Sequence, residues 1–480
     1  MRAAHGLFLA VSLLSTALAA SSLPSQTLSH GPTTLISGLP GFTVLDNVWY
    51  RNRTFYILED EGEIPQTDRL LSLSGSSSGT QSVERVNWKE MVSYNGEDGS
   101  PKEAQAKPDV EIKELHGITL FFNDGWDGKW SGYKWLYHMV AEALLGSLSI
   151  LSSVPPLSTS IQSQGQGQAQ DTSQGRVTYG GDGKLPDRLV IAWDYNWDAR
   201  YGLPRAVAEA LFGDGQSKRN LLNPLSNAHS LFIDKLIEPE EWTQMASQDT
   251  WIYFERVLLV DRNTAHRHNP LARQWLKMAI DAYSLASSPS FFFPTRHALL
   301  SNYDIPTYTR SAPGLRLSGK KPKIVYVDRQ GTTRKFDVEV HTQLLKQLKK
   351  IERAKKAVVV DAVLEDLEKK KQFEMFTDAD IILGIHGNGL AHELWMPEGG
   401  IVIEILPPPT FQYDYPPVSA ALGHLHIIWH YDKIYPRDKW IPENKKNETL
   451  IHDGSLIPLD VDSFTKLVEA LVDSMSFSYH

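Results

Sequence analysis

Apolar and polar positions follow two different periods along this chain, and the contrast is sharpest in its last third. Residues 323–328 (KIVYVD), 357–363 (AVVVDAV), 381–385 (IILGI) and 401–406 (IVIEIL) are short, nearly all-apolar and β-branched. Runs of this kind are strands buried on both faces, as in a parallel sheet. Between them, 338–354 and 364–377 carry apolar residues at helical spacing, and a short helix is expected at 390–396. Strands alternating with helices predict an α/β fold with a doubly wound parallel sheet. The earlier chain carries a weaker form of the same pattern. Strands are expected at 117–122, 189–193 and 251–259, and helices at 133–151, 203–211 and 273–284. Residues 287–306 have loop punctuation, and a final helix at 461–476 is expected to pack back between the two halves.

Where periodicity is missing, the chain reads as tail or insertion. Residues 1–20 have a basic start at Arg2, an apolar stretch at 7–20 and a small-residue pattern at Ala17-x-Ala19. That is a signal peptide or, if retained, a signal anchor; the apolar stretch is shorter than the ~20 residues of a membrane span. Residues 21–40 read as a Ser/Thr/Pro stem, and stretches near 72–82 and 152–184 as loops too poor in apolar residues to pack. The units then run 41–305, 306–460 and a C-terminal helix at 461–480. Two N-glycosylation triplets, at Asn52 and Asn447, agree with passage through the secretory pathway.

Composition narrows the chemistry. The 480 residues are 41% hydrophobic and 22% charged, a globular profile long enough for two domains. Forty-eight Lys and Arg against 57 Asp and Glu give a net charge of −9, which offers nucleic acid no field. There is no cysteine, so thiol catalysis, thiolate zinc sites, iron–sulfur clusters and disulfides are all excluded.

Three stretches carry candidate chemistry. At 381–389 a strand runs into His386-Gly387-Asn388-Gly389 and at once into a helix. This places a glycine loop and a helix N-terminus at the carboxyl end of a parallel strand, where α/β sheets hold phosphates. Glu404, at the end of the next strand, is placed to accept from ribose hydroxyls. At 323–334 another strand ends in Asp328-Arg329-Gln330-Gly331, with Arg334 five residues beyond Arg329. Two guanidinium groups there can neutralise a diphosphate through bidentate bonds. In the first half, His138 and Glu142 share one helical face four residues apart and could together deprotonate a hydroxyl, or simply brace the helix.

The combination of YHMVAE, VDRQGTTR and ADIILGIHGNGLAHELWMPEGGIVIEI, in this order and spacing, resembles family 61 glycosyltransferases. That family includes plant xylosyl- and arabinosyltransferases and the animal EGF-domain O-linked N-acetylglucosaminyltransferase. The resemblance is clear over 323–407 and fair around 133–146. It implies a GT-B fold, two Rossmann-like domains facing a cleft, with the nucleotide-sugar donor mostly on the second. It also implies inversion at the anomeric carbon without an obligatory metal or other cofactor. By position, Arg329, Gln330, Arg334, His386, Gly387, Asn388 and Gly389 match the donor-diphosphate segments, Glu404 the donor-side acidic position, and His138 and Glu142 the first-domain segment. Where the family often has Asn, this chain has Ser131-Gly132-Tyr133-Lys134.

The expectation is therefore a transferase of the Golgi or ER lumen. It would move xylose or N-acetylglucosamine from a UDP-sugar to a hydroxyl of a glycan or glycoprotein, with His138 or Glu142 as base. The alternative is a catalytically inactive relative that binds glycans or scaffolds a complex. Trp193, Asp194 and Trp197, aromatics and a carboxylate near a strand end, are candidates for the acceptor sugar. Asp378-Ala379-Asp380 has the Asp-x-Asp form of a manganese motif but precedes its strand, at the wrong end of the sheet.

Overall fold

The computed structural model describes residues 23, 27–60, 64–72, 82–89, 112–125, 130–157, 185–199, 202–213, 236–247, 250–310, 320–440 and 451–476. The N-terminal segment 1–20, most of both expected insertions and Asn447 lie outside them. Among the described residues no helix is long and apolar enough to cross a membrane.

The fold is mixed α/β, with two sheets. The first holds β1 (Thr34–Leu39), β2 (Phe42–Arg51), β3 (Thr54–Glu59), β4 (Ser82–Asn87), β5 (Ile112–Phe122), β6 (Arg188–Ile191), β7 (Leu236–Ile237) and β8 (Trp251–Val260). Its order is β4-β3-β2-β8-β5-β6-β7, with β1 paired to β2. The β8-β5-β6-β7 part is parallel, as expected. However, β2 runs antiparallel to β1, β3 and β8, so this sheet is not the all-parallel one the pattern suggested. Nor is all of 21–40 a stem. Residues 34–39 form β1, because half-buried Leu35 and Ile36 pack against the sheet despite the surrounding Ser, Thr and Pro.

The second sheet holds β9 (Lys323–Asp328), β10 (Val358–Val363), β11 (Ile381–Ile385), β12 (Ile401–Ile405), β13 (Leu425–His430) and β14 (Lys433–Ile434), in the order β10-β9-β11-β12-β13-β14. The first five are parallel. In chain order this is 2-1-3-4-5, so the strand order reverses between β9 and β11. Open α/β sheets bind ligands at the carboxyl ends beside such a reversal.

Strand alternation divides the core into layers. Ile324 and Tyr326 of β9 and Ile381 and Leu383 of β11 face the helices Val338–Arg353 and Val461–Ser476, meeting Leu344, Leu348, Phe464, Val468 and Val472. The last helix thus covers the outer face of the second sheet instead of returning between the halves. Val325, Val327, Ile382 and Val402 point the other way. They share one core with Leu120, Phe122 and Leu258 of the first sheet and the helical stretch 137–151 between the sheets. This shared layer packs between the two sheets.

Two segments depart from expectation for local reasons. The expected loop 287–306 contains a 3₁₀ turn, Pro289–Phe292, and a helix, Phe293–Asn302. Pro289 and Pro294 occupy first-turn positions, where no N–H is needed, and Phe291, Phe292, Leu299 and Leu300 are buried. The expected helix 273–284 breaks at Leu276, which adopts a left-handed conformation (φ 57°), leaving Pro270–Trp275 and Ile280–Tyr283 as separate helices.

Candidate active site

A cleft of about 730 Å³ opens at the reversal between β9 and β11 and is walled on its far side by Trp135, Tyr137, His138, Leu203 and Lys277 of the first half. Arg329 and Arg334 leave the carboxyl end of β9, and His386, Gly387, Asn388 and Gly389 leave that of β11; all six line the cleft. Arg334 donates to the His386 carbonyl at 3.2 Å and lies 2.8 Å from His452 Nδ1. Burial lowers its pKa from the usual guanidinium value, against the pull of Tyr415, Asp414 and Glu404. Arg329 packs closely against Gly387: a Cβ there would stand 1.9 Å from its Nη1, and the local φ of +148° is itself one that side chains rarely adopt. Beyond Gly387 the chain forms an eight-residue 3₁₀ helix, Asn388–Trp395, starting two residues before the expected helix. Its first bond runs from the Leu390 N–H to the Gly387 carbonyl, so the Asn388 and Gly389 amides have no intrahelical partner.

Two expected donor contacts take other roles. Gln330 does not line the cleft. Its amide donates to the Phe336 carbonyl (3.2 Å) and accepts from the Phe336 N–H (3.0 Å), bracing the arginine loop like a short β-pair. Glu404 is fully buried between His386 Nδ1 and His426 Nε2 (2.9 Å), and burial raises its pKa. Both of its oxygens are taken by these histidines and it does not line the cleft, so it bears on the cleft by holding His386 and through its charge on Arg334. The other nitrogen of His386 lies 3.5 Å from Asp414. Asn388 has a second task, accepting the Tyr137 N–H at 3.0 Å and so tying the two halves together.

On the opposite wall the helical stretch opens with π-helical turns, Tyr137–Leu144, continuing as the α-helix Leu145–Leu151. His138 and Glu142 meet as expected, Nδ1 to Oε2 at 2.6 Å, but their surroundings differ. The His138 side chain is 41% exposed and lines the cleft, whereas that of Glu142 is 3% exposed and does not. Glu142 also accepts from Arg262 Nη1 (3.2 Å) and the Met278 N–H (3.2 Å). Burial pushes its carboxyl up, but His138, Arg262 and Lys277 together outweigh that and hold it at about 2. Glu142 is thus an anchored anion and His138 the group that meets a ligand. The break at Leu276 presents the Met278 amide to Glu142 and brings Lys277 to an ion pair with Asp414 across the cleft. Burial also raises Asp414, and the Lys277 and His386 charges reverse the shift, so it is held low. Sequence reasoning missed Lys277, Arg262 and Asp414. Only a glycine loop or a paired motif marks a site in one dimension, and none of these three has such a neighbour.

The expected acceptor residues are not in the cleft. Trp193, Asp194 and Trp197 are all buried, because the turn they form packs beneath the start of the 137–151 stretch. Asp194 accepts from the Gly132 and Tyr133 N–H groups at 2.8 and 3.0 Å, Trp193 donates to Asn123 (3.1 Å), and Arg205 covers the Trp197 ring at 4.8 Å. Asp194→Ala therefore removes a cap on the segment leading into His138. It should cost about 1–2 kcal/mol in chemical denaturation, and an unchanged denaturation midpoint would contradict this role.

Elsewhere, Asn52 sits exposed in the β2–β3 turn. Asp378 and Asp380 lie at the amino end of β11, away from the cleft, paired with Lys320 and Lys323 and with Arg310 respectively. Among the described residues no group of three or more His, Asp or Glu is arranged to hold a metal ion.

A search of curated protein sequences returns no match for this chain. The family model described as Glycosyltransferase 61 does match, over residues 136–403, from two residues before His138 to the residue before Glu404 in β12. That stretch is more than half of the chain and contains most of the cleft lining, Trp135, Gln412, Asp414, Tyr415 and His452 lying outside it. The two arginines, the glycine loop and the histidine facing them thus belong to a member of glycosyltransferase family 61.

Proposed function

We propose that this glycosyltransferase has GT-B architecture, inverts the anomeric centre and needs no metal. Its donor is a UDP-sugar, with xylose or N-acetylglucosamine as the sugar, and its acceptor is a hydroxyl of a glycan or glycoprotein. The observation that carries this reading is the pairing, across one cleft, of Arg329, Arg334 and the Asn388 and Gly389 amides with His138 on the other wall. The diphosphate lies against the arginines and amides, which supply the countercharge that a metal supplies in other folds. His138 faces the acceptor. As the acceptor oxygen forms its bond to C1, the C1–O(phosphate) bond breaks and its electron pair leaves with the nucleoside diphosphate. The hydroxyl proton passes to His138 Nε2, the nitrogen that Glu142 leaves unoccupied. The apolar N-terminal stretch and the exposed Asn52 triplet support action in the lumen of the secretory pathway, with the N-terminus cleaved or retained as an anchor.

Thermal unfolding with UDP, GDP and CMP, each with and without EDTA, tests the donor side. A nucleotide at about 100 times its dissociation constant stabilises by roughly 2.7 kcal/mol. A melting shift with UDP that EDTA does not remove is expected. A shift abolished by EDTA would overturn metal independence, and no shift with any nucleotide would favour a glycan-binding relative without donor chemistry.

A further inference from the structure

The His138–Glu142 pair is the outer end of a longer buried chain. Strands β5 and β8 are parallel neighbours in register, Phe122 beside Val260, and two residues past each strand end stand Asp124 and Arg262. Asp124 accepts the Arg262 N–H (2.9 Å), Arg262 Nε (2.6 Å) and the Tyr133 hydroxyl (2.5 Å), and the guanidinium lies over the Tyr133 ring at 4.8 Å. The far edge of the guanidinium reaches Glu142 at 3.2 Å and the Trp130 carbonyl. Asp124, Arg262 and Glu142 are buried; only the imidazole at the end of the chain is open to the cleft.

We propose that Arg262 and Asp124 are positioning residues for the acceptor base: Asp124 fixes Arg262, Arg262 fixes the Glu142 carboxylate, and Glu142 holds His138 with Nδ1–H inward and Nε2 facing the acceptor. The inference rests on the reading of His138 as base. A purely structural ion pair would be complete with Asp124 and Arg262. Here the guanidinium is divided between two carboxylates, and the second carries the imidazole. Burial pushes the Asp124 carboxyl up to about 6 even beside Arg262, whereas the Glu142 carboxyl is held at about 2, so Glu142 is the anion that meets the imidazolium formed in the reaction.

Nitrogen NMR of 15N-histidine-labelled protein, without ligand, reads the tautomer directly. Wild type should show His138, assigned by its loss in His138→Gln, as the Nδ1–H form. An Nε2–H form would overturn the proposal. Asp124→Asn and Arg262→Met should give mixed tautomers and lower kcat by roughly 10–100-fold, the scale seen when the outer partner of a metal-ligating histidine is lost. Their UDP-induced melting shifts should stay as in wild type. Folded variants with an unchanged tautomer and kcat would overturn the proposal. Should either variant fail to fold, Arg262→Lys, which keeps the charge but not the fork, carries the same readouts. Loss of the UDP shift in wild type would sink the donor reading instead, and the tautomer measurement stands apart from it.

Discussion

His138→Ala should lower kcat by roughly 10²–10⁴-fold, the range a positioned general base contributes, while the melting shift with UDP stays at its wild-type size. The separation follows from the geometry. His138 is on the first-half wall, held by Glu142, whereas the groups assigned to the diphosphate leave β9 and β11. Glu142→Gln should fall between wild type and His138→Ala, because Gln can still accept from Nδ1–H but no longer compensates the imidazolium. The Glu142 carboxyl is held at about 2, so it is ionised at any working pH, and the acid limb of the rate profile cannot be its titration. The acid limb should therefore survive in Glu142→Gln. Its disappearance there would make Glu142 the base and His138 the accessory. A His138→Ala variant with wild-type kcat would remove His138 from the chemistry altogether.

The second-sheet wall of the cleft is far more legible in the sequence than the first-half wall, and the reason is physical. Strands β9, β11 and β12 are buried on both faces, so their apolar runs are unbroken, and the loops at their ends carry glycine and arginine signals at fixed offsets. Strands β1, β2 and β3 mix Asp, Asn, Arg and Thr among their apolar residues and belong to an antiparallel part with no helical crossover, so no strand–helix rhythm announced them. The same limit produced the wrong acceptor residues. Trp193, Asp194 and Trp197 have the composition of a sugar platform, but composition does not distinguish an open turn from a packed one. Here Asp194 is used by two backbone amides. Lys277 and Asp414 reach the cleft from segments 137 residues apart and show only in the fold. Glu404 was correctly placed at its strand end and misjudged in its contact, because the sequence does not reveal that His386 and His426 already occupy both oxygens.

Arg329→Ala should lower turnover by roughly 10²-fold or more, the scale on which losing one preorganised donor to a developing anion is felt. Arg329→Lys should recover little of it, since a point charge does not replace a planar fork on the diphosphate. Gly387→Ala should produce a loss of similar size by a different route. It leaves the charge present but puts a methyl group where Arg329 Nη1 now lies, at a φ of +148° that an alanine adopts only under strain. The two substitutions act on one object, the placement of the guanidinium over the glycine loop, so their effects should not add. Removing the Arg329 side chain vacates the space the new methyl needs, and the double variant should be about as slow as Arg329→Ala alone. The measurement is a double-mutant cycle on kcat/KM with the identified UDP-sugar. Losses that simply multiply would mean that Gly387 acts on the diphosphate independently of Arg329, through its backbone alone, and would separate the arginine from the glycine loop as parts of one leaving-group site.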